Sequence, residues 1–407
     1  MSCPIRQPPP VERWRRTLYI AFLGQLVSAM AFSLIFPFLP LYVQYLGTRT
    51  GLSLEFWAGM AFSSQALTMA LASPIWGALS DRYGRKLMLE RAMFGGAVLL
   101  GLMAFVRSAE ELALLRALQG LITGTISAAN ALVAGEAPRE RIGYAMGLLQ
   151  VGFWAGVAVG PLVGGALADL AGFRMPFLVT GALLFLSGLL IWLGVQEQFK
   201  PAASAIGRSV GFLSGWRELL CRPGIKVCYI LRFTATVGQT LIQPVAPLFI
   251  QALLSSGAPV GTFTGVTVGL TSASSIGSAL YLGRLGDRIG QRRVLHASLL
   301  AAALLYLLQS CVTNAWQFFV LQMLSGATLG GVVPTLSALL ARYGRHGEEG
   351  NLYGLDNSIS SAARAAAPIL GAGIAMAGGL RATFAASGLL FLLSAVLASV
   401  ALPRRET

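Results

Sequence analysis

The stretch "GALSDRYGRKLML" at residues 77–89 places a short cluster of charge between two long apolar runs. Its four charges fall within six positions, in a chain where only 11% of residues are charged: Asp81, Arg82, Arg85 and Lys86. No residue is ionisable over 56–80 or over 92–106. Uncharged apolar runs of about 18 residues or more are typical of membrane-spanning helices. The sequence therefore predicts that this stretch is a turn between two such helices at a membrane surface.

The composition of the whole chain supports a membrane protein. Hydrophobic residues make up 55% of the 407 residues, and the mean hydropathy is +0.70. Soluble domains carry roughly 25% charged residues. We predict an all-α membrane protein with twelve spans, numbered here in chain order: 17–45, 56–79, 87–106, 111–134, 143–168, 175–195, 224–252, 262–283, 294–312, 316–342, 351–377 and 382–402.

The opening stretch has a copy, and the copy reveals an internal repeat. "GRLGDRIGQRRVL" at 283–295 follows it at an offset of 206 residues, and "PVAPLFIQ" at 244–251 follows "PFLPLYVQ" at 37–44 at an offset of 207. Six spans return the chain to its starting side, so the halves are predicted to be parallel repeats, an arrangement typical of transporters with a site between the halves. We predict a six-helix bundle over 1–195, a cytoplasmic linker over 196–223 and a second six-helix bundle over 224–407.

The distribution of positive charge predicts the orientation of the chain. Of the 30 Lys and Arg residues, 22 fall before span 1, after span 12, in the turns on that same side or at the span ends next to them, and four fall in the turns on the other side. The positive-inside rule assigns the 22 to the cytoplasm. We therefore expect a multi-pass inner-membrane protein with both termini cytoplasmic, and the excess charge faces lipid headgroups rather than nucleic acid. An N-terminal signal peptide is a poor interpretation, because the first apolar run is too long.

Several kinds of chemistry have no signature in the sequence. The four cysteines form no CxxC pair and the two histidines lie far apart, so we expect no metal site. There is no GxxxxGK[ST] motif for ATP and no HExxH motif, and the GxSxG pattern at 207–211 lies in the predicted linker, where it does not suggest hydrolysis. We expect no enzyme activity and no cofactor, and if the chain is a transporter, a gradient must drive it.

Three motifs resemble those of the major facilitator superfamily, and the resemblance extends over nearly the whole chain. "GALSDRYGRK" is similar to its loop signature, "LLRALQGLITG" at 114–124 to its fourth-helix motif, and "GFWAGVAVGPLVGG" at 152–165 to the fifth-helix motif associated with antiporters. "AFSLIFPFLPLYV" together with "ASPIWGALSDRYGRKLML" resembles more narrowly the drug:proton antiporters of twelve spans. The resemblance implies export of drugs in exchange for protons.

The resemblance also implies a cytoplasmic gate at the charged turn. Asp81 would face the N-terminus of span 11 near Gly350, where the helix dipole favours an anion. Anchoring of topology by positive charge is the simpler role and can coexist with a gate. The predicted gate residues are Gly77, Asp81, Arg82, Gly84, Arg85, Lys86, Asp287 and Arg288. The antiporter motif of span 5 comprises Gly152, Gly156, Gly160, Pro161, Gly164 and Gly165. Its first four glycines recur every fourth residue, which favours close helix packing.

Arginines inside apolar runs point to a polar cavity. Arg116, Arg232 and Arg364 lie several residues within spans 4, 7 and 11, where an arginine facing lipid costs about 2.5–3.5 kcal/mol. Each shares a helical face with other polar residues, which predicts four cavity-lining stripes, the stripe of span 1 being largely aromatic. Polar helix packing is the simpler alternative, but it accounts poorly for buried arginines. The predicted cavity residues are Gln25, Phe32, Phe36, Gln119, Thr123, Asn130, Arg232, Gln239, Gln243 and Asn357.

Proton coupling is assigned to Arg116, Asp356 and Arg364, with Glu90, Glu136 and Asp169 as further possible proton carriers. We expect small-molecule substrates and protons as partners in the lipid bilayer, and a functional monomer. The predicted function is proton-coupled efflux of small amphipathic or apolar compounds by alternating access. A transporter of one defined metabolite, such as a sugar, is the alternative. A membrane receptor or enzyme fits least, because the sequence offers neither a catalytic cluster nor a large soluble domain.

Overall fold

A computed structural model describes residues 10–402 apart from 123, 125–127, 131, 134–137, 139–140, 196, 198–218, 256 and 345–348. For residues 10–13, 74, 77–78, 81–82, 223 and 349–351 it describes the backbone only. The described part is helical, and no strand occurs in it. Its helices are α1 Pro10–Leu34, α2 Leu39–Leu46, α3 Leu54–Tyr83, α4 Arg85–Met103, α5 Ala109–Ile122, α6 Ile142–Ala171, α7 Met175–Gly194, α8 Pro223–Thr240, α9 Ala246–Leu253, α10 Val260–Ile289, α11 Gln291–Ser310, α12 Ala315–Tyr343, α13 Glu349–Gly378 and α14 Leu380–Ala401.

The all-α membrane class predicted from the sequence is confirmed. Seven of the described helices are long and apolar enough to cross a membrane: α1 from Trp14, α6, α7, α11, α12, α13 from Leu352, and α14. Other predicted spans are not among these seven because their helices contain more charged residues or are less apolar. For example, α4 carries Lys86, Glu90 and Arg91 within 19 residues, and α10 is rich in glycine, serine and threonine.

The two repeat turns have the same construction. α3 ends at Tyr83 and α4 begins at Arg85, so the turn is the single residue Gly84, whose φ is 102°. Gly290, with φ 99°, joins α10 to α11 in the same way. Only glycine adopts such angles without strain. The turn is shorter than the predicted 80–86 segment, because the helix continues through it up to the glycine.

Spans 1 and 7 were predicted as single helices, and this is wrong. α1 and α2 are separated by a turn at 35–38, and α8 and α9 by a turn at 241–245. Each turn lies beside a pair of prolines, Pro37 and Pro40 in the first half and Pro244 and Pro247 in the second. Because proline lacks the N–H that a helix interior requires, the helix is interrupted there. The interruption recurs at equivalent places in the two copies of the repeat.

The hydrophobic core is divided in the same way as the sequence. The largest cluster of buried side chains draws only on residues 219–402, and three others draw only on residues 14–195. Phe249, Phe318 and Phe384 pack together in the second half, with ring centroids 4.9–5.5 Å apart. The exact domain boundaries stay a prediction, since most of the 196–223 linker lies outside the described residues.

Candidate functional site

A buried ion pair joins α8 to α13 in the second half. Arg232 Nε donates to Asp356 Oδ1 at 2.8 Å, and Nη2 donates to Oδ2 at 2.7 Å, so the pair is bidentate. The same Nη2 donates to Ser337 Oγ on α12 at 2.9 Å. Arg232 is 6% exposed and Asp356 is 7% exposed. One guanidinium therefore links three helices, and its charge is compensated by one carboxylate.

From the sequence we assigned Arg232 to the cavity and Asp356 to proton coupling, whereas the structure pairs them. A second bond supports the junction, since Tyr229 Oη donates to the backbone carbonyl of Leu352 at 2.9 Å. Ser337 was not predicted. Its place on α12 gives no periodic signal, so only the three-dimensional contact identifies it.

Arg116 on α5 is buried in a different way. The residue has no exposed surface. Its Nε donates to the carbonyl of Ala61 on α3 and its Nη1 donates to Gln119 Oε1, both at 3.0 Å. No carboxylate forms an ion pair with Arg116 in the part of the chain that the structure describes, and Nη2 has no hydrogen-bond partner there. Arg91, in contrast, packs over the ring of Trp76 at 3.3 Å, which fits a structural role.

Arg364 lies on an exposed polar face of α13. The exposed residues of this helix fall on two opposite faces. Tyr353, Asn357 and Arg364 form one face, and apolar residues such as Ile369 and Met376 belong to the other. An arginine against lipid is costly, so the polar face lines water rather than hydrocarbon. Arg364 is also close enough to Arg232 for their positive charges to interact.

The remaining predicted cavity residues are placed as follows. Gln25 is buried on α1, and its Oε1 has no partner among the described residues. Phe36 lies in the turn after α1, with ring centroids 5.4 Å from Phe32 and 5.9 Å from Phe62 of α3. The amide residues differ in exposure, since Gln239 and Asn357 are exposed whereas Gln243 and Asn130 are half-buried. Thr123 lies outside the described residues.

Two faces of α6 make two different contacts. A methyl group added to Gly156, Gly160 or Gly164 would collide with the backbone of α1, within the same half. The neighbouring face of α6 approaches the other half instead, because Pro161 and Gly165 lie against the backbone of α10. The glycine repeat predicted close packing correctly. The contact between the two halves is made by the adjacent face of α6, at Pro161 and Gly165.

The end of α6 also binds the other half. Asp169 Oδ1 accepts the backbone N–H of Gly261 at 3.0 Å, and Oδ2 accepts that of Thr262 at 2.6 Å. These N–H groups belong to the first turn of α10, where the helix dipole favours a negative charge. Asp169 was considered as a proton carrier from the sequence. Its contacts make it a helix cap between the two halves, at the end of the bundle remote from the Gly84 and Gly290 turns.

Comparison with known proteins identifies the family. The model of the Major Facilitator Superfamily matches residues 21–254 and 228–407. The chain is 35% identical over 400 residues to the multidrug resistance protein MdtG of Dickeya zeae (strain Ech586), covering 98% of this chain and 97% of that protein. It is 36% identical over 394 residues to MdtG of Enterobacter lignolyticus (strain SCF1), covering 96% and 93%. The chain belongs to the major facilitator superfamily.

Solved structures of the superfamily agree with this fold. The nucleoside transporter NupG has a TM-score of 0.81 at 12% identity, covering 95% of this chain and 100% of that chain. A bacterial homologue of the lysosomal transporter Spinster, in an inward-facing and occupied conformation, has a TM-score of 0.79 at 14% identity and covers 97% of both chains. At these identities the likeness concerns the fold alone.

The loop signature of the superfamily is only partly described. The backbone of Asp81 and Arg82 forms part of the last turn of α3, but their side chains are not described. The surroundings of Gly77 and Gly350 are not described either. The predicted contact of Asp81 with span 11 therefore stays a prediction. In the second copy, Asp287 accepts a hydrogen bond from Gln291 Nε2 at 2.8 Å, and Arg288 is exposed.

The first turn of α4 has a partner that the sequence did not suggest. Glu197 Oε1 accepts the backbone N–H of Arg85 at 3.0 Å, and Oε2 accepts that of Lys86 at 2.8 Å. The Lys86 Nζ also lies 3.4 Å from Glu90 and donates to the carbonyl of Trp192 at 2.9 Å. Glu90, a possible proton carrier from the sequence, thus forms an ion pair with Lys86 within α4.

Proposed function

We propose that the chain exports small amphipathic or apolar compounds from the cell in exchange for protons, by alternating access. The observation that carries this proposal is the full-length likeness to proteins named as multidrug resistance proteins, at 35% identity over 400 residues. Small molecules and protons are its partners, a proton gradient replaces any cofactor, and one chain is the working unit.

The chain lies in the inner membrane with both termini and the 196–223 linker in the cytoplasm. The positive-inside rule supports this orientation, since 22 of 30 Lys and Arg residues fall on one side. The end of the bundle that carries Gly84 and Gly290 is then cytoplasmic. The end where Asp169 caps α10 is external.

The substrate route runs between the halves along spans 1, 4, 7 and 11. Support comes from the polar face of α13 and from the aromatic group of Phe32, Phe36 and Phe62. Aromatic rings and exposed amides together suit compounds that are largely apolar with a few polar groups. A transporter of one defined metabolite would instead need buried hydrogen-bond donors in a fixed pattern that matches that compound, and multidrug export does not need them.

Asp356 carries the proton. When ionised, it holds Arg232 in a bidentate pair that ties α8 to α13. Protonation of the carboxylate removes its charge, and Arg232 is then left with Ser337 and with the nearby positive charge of Arg364. A half-paired buried charge is costly, so α8 and α13 separate or rearrange when the proton arrives. Arg116 contributes a fixed positive charge on the other half.

Alternating access requires contacts that hold one side closed at a time. The cap of α10 by Asp169 supports closure of the external side, together with the close approach of Gly165 and Pro161 to α10. The predicted contact of Asp81 with span 11 would close the cytoplasmic side. Each gate then joins a carboxylate of one half to a helix N-terminus of the other.

Transport by purified full-length protein in proteoliposomes tests this function. A panel of amphipathic compounds is measured with and without an imposed pH gradient. We expect gradient-driven movement of several compounds, and its loss in Asp356→Asn. Glu111→Gln is the matched control, because Glu111 pairs with Arg49 on an exposed surface. Movement that ignores the gradient would exclude antiport, and movement of one compound alone would exclude multidrug export.

A further inference from the structure

A cavity of about 340 Å³ opens between the two halves, at the end of the molecule where Asp169 caps α10. The first half contributes α2, the end of α6 and the turn that follows it. The second half contributes α9 and the start of α10 with the turn before it. Sites for small molecules have volumes of about 300–1,000 Å³. The cavity is therefore large enough for one compact ligand, which would contact both halves at once.

Equivalent positions of the repeat meet in this cavity. Gln44 and Gln251 lie 207 residues apart, and both are exposed and line it. The cavity therefore lies on the axis that relates the two halves. Its carboxylate and its rings come from the first half alone, since the repeat replaces them with apolar residues that have no ring: Asp169 by Met376, Tyr45 by Ala252 and Phe173 by Leu380.

The charge of the cavity is negative. Among the described residues of the lining, Asp169 alone is charged, and its side chain is exposed. Its two hydrogen bonds to α10 leave further acceptor sites, because a carboxylate has about four. The dipole of α10 offsets about half of the negative charge. The remaining charge favours a cation over an anion.

Neighbouring charges do not reverse this balance. In the turns at this end of the molecule, Ser256 is the one residue that the structure does not describe, and it is uncharged. Arg49 forms an ion pair with Glu111, and Arg174 interacts with the Tyr42 hydroxyl. Neither arginine belongs to the lining. These turns therefore contain no undescribed acid or base that could compensate Asp169.

Aromatic rings form the apolar part of the lining. Tyr45 is 63% exposed, and its ring centroid lies 5.7 Å from that of Phe173 and 6.3 Å from that of Tyr42. The ring is therefore held by other rings while much of its surface stays open to the cavity. An aromatic face near a carboxylate is the combination that binds quaternary ammonium groups.

We propose that this cavity binds a compact organic cation, an ammonium ion with apolar substituents, and that the bound cation holds this side of the molecule closed. Asp169 attracts the charge, and Tyr45 and Phe173 contact the apolar groups. Because both halves line the cavity, the complete site exists only while the halves are together there. A ligand that binds it shifts the population towards that closed state. Binding does not depend on which compounds the chain transports, and it is measured without transport.

Equilibrium dialysis of radiolabelled benzyltrimethylammonium against the detergent-purified full chain tests binding. The competitors are choline and 3,3-dimethylbutanol, which has the shape of choline with a carbon atom in place of the charged nitrogen. Tyr45→Leu removes the exposed ring, and Tyr45→Phe retains it. Trp316→Leu is the matched control, since Trp316 is 64% exposed at the same end and lies outside the lining.

We expect choline to displace the labelled cation and 3,3-dimethylbutanol to fail at the same concentration. Tyr45→Leu should weaken binding about two- to fivefold, because a cation over an exposed ring gains about that much. Tyr45→Phe and Trp316→Leu should bind normally. Phe173→Leu, with a similar expected loss, is a second variant should Tyr45→Leu not fold.

Spin labels at Leu52→Cys and Ser255→Cys test whether the cation holds this side closed, in a chain whose native cysteines are replaced. Both residues are exposed on turns of different halves and lie outside the lining. We expect the fraction of molecules at a longer distance to fall when benzyltrimethylammonium is added in excess.

Three results would overturn the proposal. Equal displacement by choline and 3,3-dimethylbutanol would show that the site does not select a cation. Equal binding by the wild type, Tyr45→Leu and Phe173→Leu, or an equal loss in Trp316→Leu, would show that the cation does not bind in this cavity. An unaltered distance distribution at saturating cation would show that the bound ligand does not hold the halves together.

Discussion

Replacement of Asp169 by asparagine should open the external side of the molecule. In the present structure the Asp169 carboxylate accepts two backbone N–H groups from the first turn of α10, at 3.0 and 2.6 Å. Asparagine keeps the shape and one acceptor oxygen, but it loses the charge and one of the two bonds. The loss falls on a contact between the halves, so the fold of each half should be retained.

The expected size of this effect follows from the two bonds. A hydrogen bond to a charged group contributes about 1.5–3 kcal/mol, and the helix dipole adds about 0.3–1 kcal/mol for an exposed anion. Asp169 is exposed, so the low end of both ranges applies, which gives about 2 kcal/mol for the substitution. The ratio of externally closed to externally open molecules should then fall about thirtyfold.

Spin labels at Gln44→Cys and Gln251→Cys measure this ratio, in a chain whose native cysteines are replaced. Both residues are exposed, belong to different halves and line the external cavity that contains Asp169. We expect a short distance in the parent and a larger fraction of molecules at a longer distance in Asp169→Asn. Glu111→Gln removes a charge near the same end without touching the other half, so it should change nothing. An unaltered distance distribution in Asp169→Asn would refute the assigned role.

Three other substitutions test the remaining contacts. Asp356→Ala should lower the free energy of unfolding by about 3–5 kcal/mol, seen as a lower Tm, because it leaves Arg232 buried without its partner. Adding Arg232→Gln should recover part of this loss, and no recovery would argue against the pair. Gly164→Ala should destabilise the protein by about 1–3 kcal/mol or more, because the added methyl group meets the α1 backbone. Gly143→Ala is the control and should leave the Tm unchanged, because a methyl group there meets nothing within 4 Å. Equal effects of the two substitutions on the Tm would contradict the packing. Partial burial raises the pKa of Glu110, but hydrogen bonds from the 49–50 turn outweigh it and bring the pKa to about 2. The stability that Glu110 contributes should therefore be complete above its ordinary pKa of 4.5 and disappear as the pH falls towards 2, so Glu110→Gln should lower the Tm at neutral pH and not near pH 2; a loss independent of pH would exclude this origin.

The sequence was sufficient for the fold class and the repeat, because both depend on composition and on spacing along the chain. It did not reveal the interruptions of spans 1 and 7. Hydropathy remains high across 35–38 and 241–245, so apolar content alone predicts an unbroken helix there. The proline pairs were visible in the repeat, but proline is also tolerated in membrane helices, and only the backbone shows that these helices stop.

Both members of the buried ion pair were singled out from the sequence, but their contact with each other was not predicted. Periodicity assigned Arg232 to the polar stripe of span 7 and left Asp356 outside the stripe of span 11. Because 124 positions separate the two residues, no one-dimensional pattern pairs them. The role of Asp169 was missed for a similar reason. A lone acid at the end of an apolar span gives no sign of which helix N-terminus it faces, although its position four residues after Gly165 was available in the sequence.

The two contact faces of α6 have a consequence for how the molecule changes shape. Both faces bring backbone close to backbone, but the first joins α6 to α1 of the same half, so α1 and α6 should move together when the two halves move. Motion of one half against the other must then occur at the second face, where Pro161 and Gly165 lie against the backbone of α10. A bulky residue on the first face should therefore reduce the yield of folded protein, whereas one on the second should slow turnover in protein that folds normally.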